Sequence, residues 1–147
     1  MNFKTFLLAE QPDFKGRMIQ DIWNFSDEEI ESKHDFIQII FPLNKKSQSV
    51  FHGHYLENEE IIKSLKNDEQ VKQAIIKSSL WFLSFLKRNY YWNNRHDHNH
   101  LRITRVIESL RLIVSNEEAD KFHKSILEII KGNNKINNRT LEFWKNA

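Results

Sequence analysis

The sequence predicts an all-α fold, a compact orthogonal bundle of about six or seven helices, and three observations support it. Only 3 glycines and 2 prolines in 147 residues leave little turn chemistry for a sheet. Apolar residues recur at helical spacing over most of the chain. Ser26 with Glu29 and Ser115 with Glu118 stand at capping-box spacing where two such runs begin.

The length fits a single domain spanning residues 1–147, able to bury roughly 70% of the surface its unfolded chain exposes. The chain has no cysteine, which excludes disulfide frameworks, cysteine-based zinc sites, thiol nucleophiles and iron–sulfur clusters. With 22 basic and 20 acidic side chains the net charge is +2, unlike the strongly basic character of a dedicated nucleic-acid binder. The longest apolar run near the start, Phe6-Leu7-Leu8-Ala9, is too short for a signal-peptide core or a membrane span. A cytoplasmic protein without signal peptide or transmembrane segment is therefore expected.

Taken in order, Phe3 to Ala9 reads as a short apolar helix or docked arm. Pro12-Asp13-Phe14-Lys15-Gly16 reads as a turn, because proline sets φ, aspartate bonds the local backbone and glycine accepts positive φ. A short helix carrying Met18, Ile19, Ile22 and Trp23 follows. The capping box at Ser26 starts a helix that Pro42 ends, with Ile30, His34, Ile37 and Phe41 in one stripe. On that reading His34 lies inside an apolar face, while Phe36 and Ile39 face the opposite way. Residues 43–56 read as a loop, with aromatics around a glycine in Phe51-His52-Gly53-His54-Tyr55. Glu57 to Lys66 gives a short helix, and Asp68 to Arg88 a long one with Val71, Ile75, Ser78, Phe82, Phe85 and Leu86 inward. Lys87 to His96 sets Tyr90, Tyr91 and Trp92 among basic residues, an aromatic anchor closing the bundle beside His98. Ser115 starts a helix with Ala119, Phe122, Ile126 and Ile130 inward, which Gly132-Asn133-Asn134 ends. Leu141, Phe143 and Trp144 dock a last helix.

The stretch His98 to Leu112 organises the rest. Wound as a helix, with Asp97 or Asn99 as its cap, it places His98, Arg102, Arg105 and Ser109 in one polar stripe. Ile103, Val106, Ile107, Leu110 and Ile113 form a second stripe that faces a core.

Two blocks resemble the opioid growth factor receptor conserved-domain family. His34-Asp35-Phe36-Ile37-Gln38-Ile39-Ile40-Phe41-Pro42-Leu43 is similar to its His-x-aromatic-Ile-Gln-x-x-Phe-Pro-Leu signature, and Pro12 to Gly16 fits the preceding Pro-Asp-x-x-Gly element. His98-Asn99-His100-Leu101-Arg102-Ile103-Thr104-Arg105, followed by Ser109-Leu110, is similar to its His-Asn-x-Leu-Arg-Ile-Thr-Arg block. Phe143-Trp144-Lys145-Asn146-Ala147 resembles the ending of shorter, bacterial-type members. The sequence departs from the pattern at Phe51 to Tyr55, where an asparagine and an Ala-Pro pair are expected. The resemblance implies an all-helical domain and, by name, a receptor for a small opioid peptide associated with the nucleus. That name belongs to long eukaryotic members with further regions. No catalytic residue is implied, and what carries over is the motif set His34, Gln38, His98, Asn99, Arg102 and Arg105.

These six residues are the expected ligand-binding set, and each has a structural reading beside the functional one. His34 is either a core histidine with a satisfied hydrogen bond, with Gln38 or the later polar stripe as partner, or one of two histidines meeting His98 across a cleft. Arg102 and Arg105 either pair with Asp35, Glu28 or Glu31, or clamp the phosphate or carboxylate of an anionic small molecule or of a peptide or protein group. His96, His98 and His100 alternate around Asp97, a pattern more typical of solvated histidines than of a metal site, so neither metal nor cofactor is expected. A binding module with a His/Arg polar cleft leads. The alternative is a small hydrolase or transferase for phosphorylated or carboxylated substrates, with His98 or His34 as general acid or base. A third reading makes Phe36 and Ile39 a dimer surface.

Overall fold

A computed structural model describes residues 1–46 and 53–147. Among them are nine α-helices and no strand: α1 (Phe3–Leu7), α2 (Ile19–Trp23), α3 (Asp27–Ser32), α4 (Ile37–Ile40), α5 (Glu59–Lys66), α6 (Glu69–Arg88), α7 (Asn99–Ser109), α8 (Asn116–Ile130) and α9 (Asn138–Asn146). A 3-10 turn at Tyr90–Trp92 leads into α7, and a π-helical turn at Leu110–Val114 prolongs it. No described helix is long and apolar enough to cross a membrane.

The centre is α6, started by Asp68, whose carboxylate accepts from the backbone N–H groups of Gln70 and Val71. Its buried face carries Val71, Ala74, Ile75, Ser78, Phe82, Phe85 and Leu86. Around it pack α1, α5, α8 and the π-helical end of α7, while α7 also meets α8 and α9. Two tryptophans lock this arrangement with both ring and donor. Trp92 is fully buried and donates to the Leu86 carbonyl at 2.8 Å. Trp144 is fully buried and donates to the His100 carbonyl at 3.1 Å, so α9 docks on the start of α7. Phe143, expected to share that docking, is instead exposed, with the Arg139 guanidinium 5.5 Å from its ring centre.

The helix expected from Ser26 to Pro42 is two helices. The capping box at its start is present, with Ser26 Oγ accepting from Glu29 N and Glu29 Oε1 from Ser26 N, both at 3.1 Å. At Lys33 the backbone turns extended, and α4 begins only at Ile37. Two distant arginines hold the break. Arg17 binds Asp13 through Nε at 2.8 Å and Asp35 through Nη1 at 2.9 Å, and Arg102 takes the carbonyl oxygen of Lys33. His34 therefore leaves the apolar face and is exposed. Phe36 and Ile39 turn fully into the core, Phe36 edge-on to Phe25 and Trp81, so neither offers a dimer surface.

Within the loop expected over 43–56, the Leu56 N–H donates to the Leu43 carbonyl at 2.8 Å. Residues 47–52, including Phe51 and His52, lie outside the described residues. The turn before α2 forms as its residue types require. Asp13 Oδ1 accepts from Lys15 N and Arg17 N, and Gly16 sits at φ +80°. A Cβ at Gly16 meets nothing within 4 Å, so only backbone strain opposes an alanine there. Gly16→Ala should cost about 1 kcal/mol by urea denaturation. Ala9, held at φ 61°, should show the opposite sign on replacement by glycine, by a smaller amount because glycine's extra freedom when unfolded opposes the gain.

Candidate functional site

The polar stripe of α7 forms as its spacing predicts, and it faces the broken segment 30–42. The Arg102 guanidinium lies over the Phe36 ring, 5.4 Å from its centre. Its Nη1 donates to the Ile30 carbonyl at 2.7 Å and to Asn99 Oδ1 at 3.2 Å, and its Nη2 to the Lys33 carbonyl at 2.6 Å. One turn on, Arg105 Nε donates to the Phe41 carbonyl at 2.8 Å and Nη2 to the Gln38 carbonyl at 3.5 Å. Ser109 Oγ donates to the Pro42 carbonyl at 2.9 Å.

These carbonyls lie in and just beyond α3 and α4, short helices whose last C=O groups have no partner within the helix. Both arginines are nearly buried, at 6% and 8% exposure, and burial lowers the pKa of each. Their partners are backbone carbonyls and the Asn99 side chain, in place of the expected Asp35, Glu28 or Glu31. Asp35 is taken by Arg17 and by Lys15, whose Nζ stands at 2.6 Å. Gln38 and Asn99 are buried with the arginines and belong to the same frame.

At the solvent end of the stripe, where the break brings the two sequence blocks together, the remaining two motif residues meet. The His34 and His98 rings lie 5.6 Å apart, edge to face at 75°, and both residues are exposed. Among the described residues the His34 ring makes no hydrogen bond. Its surrounding protein, followed by Arg102 and His98, lowers its pKa below the ordinary imidazole value. His98 Nε2 stands 2.7 Å from Glu31 Oε1, and its Nδ1 3.9 Å from Asp97 Oδ1. Glu31 Oε2 accepts from the Tyr91 hydroxyl at 2.5 Å and from Asn99 Nδ2 at 3.2 Å. Burial, with Glu31 beside it, pushes the Tyr91 hydroxyl well above the phenol range and keeps it a donor. Asp97 Oδ1 accepts from Asn99 N at 2.9 Å, turning the chain into α7.

The six motif residues thus divide by depth: Gln38, Asn99, Arg102 and Arg105 below, His34 and His98 at the rim. Glu31, Asp97 and Tyr91 join them there. Sequence spacing offered Glu31 only as an arginine partner, Asp97 as a cap and as the residue between alternating histidines, and Tyr91 as one aromatic among three. The available signal was Glu31 three residues before His34, at the end of a helix. His96 and His100 do not join the rim. His100 is buried with its Nε2 2.8 Å from the Trp92 carbonyl, and His96 faces a separate cleft with Arg95, Lys135 and Arg139.

If the arginines hold the carbonyl ends, Arg102→Met should remove donors while keeping volume and cost roughly 3 kcal/mol, since bonds to charged donors are worth about 1.5–3 kcal/mol each. Denaturant unfolding measures it, and unchanged stability would contradict the assignment.

The family described as the opioid growth factor receptor (OGFr) conserved region matches residues 1–146. The opioid growth factor receptor of Rattus norvegicus is 26% identical over 131 residues, covering 75% of this chain and 22% of the rat protein. That of Mus musculus is also 26% identical over 131 residues, covering 75% of this chain and 20% of the mouse protein. The chain thus spans about a fifth of the length of these relatives. No solved structure matches it. The two sequence blocks that meet at the rim lie within the matched span, and the chain belongs to the opioid growth factor receptor conserved-region family.

Proposed function

We propose that this chain is a receptor-like binding module whose ligand, a peptide or small molecule presenting a carboxylate or similar anionic group, docks at the His34/His98 rim. The observation that carries the reading is the exposed imidazole pair itself, assembled from two blocks more than sixty residues apart, with the His34 ring free of hydrogen bonds among the described residues. An imidazole there can donate to an incoming oxygen.

Four of the six motif residues act from below. With their main donors on backbone carbonyls, Arg102 and Arg105 set the geometry of the rim and leave direct contact to the histidines. The matched relatives are named receptors, and that word supports a binding role for the shared region.

The test is a matched pair of short peptides, one with a free and one with an amidated C-terminus, followed by the side-chain NMR signals of His34 and His98. The free carboxylate should shift both signals, and His34→Ala should weaken binding about tenfold, or about 1.4 kcal/mol. Equal binding by the amidated peptide, or shifts confined to other surfaces, would contradict the reading.

A further inference from the structure

We infer that Glu31, Asp97 and His98, with His34 as a fourth protein ligand, form a binding site for a divalent transition-metal ion of the zinc type. One donor atom from each of Glu31, Asp97 and His98 lies within 4.8 Å of the other two, the only such group among the described residues. Donors about 2.1 Å from a tetrahedral ion lie roughly 3.4 Å apart, so closure asks for about 1.4 Å of side-chain movement. Two imidazoles on one such ion place their ring centres about 5 Å apart. The His34 and His98 centres are 5.6 Å apart and inclined at 75°, so a small rotation brings His34 in.

Both carboxylates are held by hydrogen bonds from outside the group, as metal-bound carboxylates are, and Asp97 takes its bond from the Asn99 backbone N–H. Tyr91 and Asn99 fix Glu31 Oε2, and Glu31 Oε1 turns to His98. The ion replaces the proton between Glu31 and His98, and that proton leaves to solvent. With neutral imidazoles, two carboxylates outweigh the nearby Arg102 charge, so the rim attracts a cation. A mixed imidazole and carboxylate set suits zinc, cobalt or nickel better than calcium or magnesium, which prefer all-oxygen shells.

Side-chain exposures of 40% for His98, 27% for Glu31 and 17% for Asp97 leave the ion within reach of solvent. Its charge then offsets the repulsion between the Glu31 and Asp97 carboxylates and the anionic group of the ligand. In that last step alone the inference rests on the proposed function.

The experiment uses tag-free protein stripped with a chelator, titrated with Zn2+ by calorimetry and with Co2+ by visible absorption, with no peptide present. One ion per chain is expected, with a Co2+ spectrum of a nitrogen–oxygen site. His98→Ala and Glu31→Gln should each weaken binding by about tenfold or more, and His34→Ala should weaken it and alter the Co2+ spectrum. His96→Ala should change nothing. Thermal unfolding in chelator checks that each variant is folded, and a Zn2+-dependent rise in wild-type melting temperature that His98→Ala lacks gives a second readout. No stoichiometric binding, or binding lost in His96→Ala and kept in Glu31→Gln, would overturn the site. Unchanged affinity in His34→Ala would overturn the fourth ligand. The free-acid and amidated peptides are then added to the apo and Zn2+-loaded protein. Zinc binding without any carboxylate preference leaves the metal site standing and removes the proposed ligand class. Carboxylate binding by a protein that takes no zinc does the reverse.

Discussion

The guanidinium groups of α7 are what the segment 30–42 depends on. Four carbonyls at or beyond the ends of two short helices have bonds from Arg102 and Arg105, and a fifth from Ser109. A helix of four or six residues leaves most of its C=O groups without an internal partner, and in a packed interior each such group costs about 1–3 kcal/mol if unmet. Here planar, permanently charged donors meet them, with the Arg102 guanidinium over the Phe36 ring. Breaking one helix into two lets Phe36 and Ile39 enter the core and turns His34 outward. Rim and core are thus consequences of the same set of bonds.

Much of this was legible from local pattern. The two stripes of α7, the caps at Ser26 and Ser115, the buried face of α6 and the turn at Asp13 and Gly16 all follow from residue type and spacing, since each is decided within one or two turns of chain. The break at Lys33 was not, because its partners Arg17 and Arg102 come from elsewhere in the sequence. Periodicity across Ile30, His34, Ile37 and Phe41 reads as one uninterrupted helix and misplaces His34. The same long-range origin hid Glu31 and Tyr91. A carboxylate in the last turn of a helix looks solvated until a hydroxyl from another element closes on it.

The resemblance in sequence selected six residues without separating those that shape the site from those that face solvent. Depth makes that separation. Arginine and histidine in one motif suggest an anion clamp, yet the arginines are occupied and the rim holds two exposed imidazoles with two half-buried carboxylates. The long relatives carry about four-fifths of their length outside the matched region, so their name describes more than this chain contains.

Whether the α7 arginines are framework or ligand clamp is read most directly from their own guanidinium protons. Nitrogen-detected NMR of labelled protein should find the Nη protons of Arg102 resolved and protected from solvent exchange. Addition of inorganic phosphate should leave them unmoved while the His34 and His98 rings remain free to respond. Averaged, rapidly exchanging Nη signals that shift on adding phosphate would contradict the framework and return Arg102 to the binding surface.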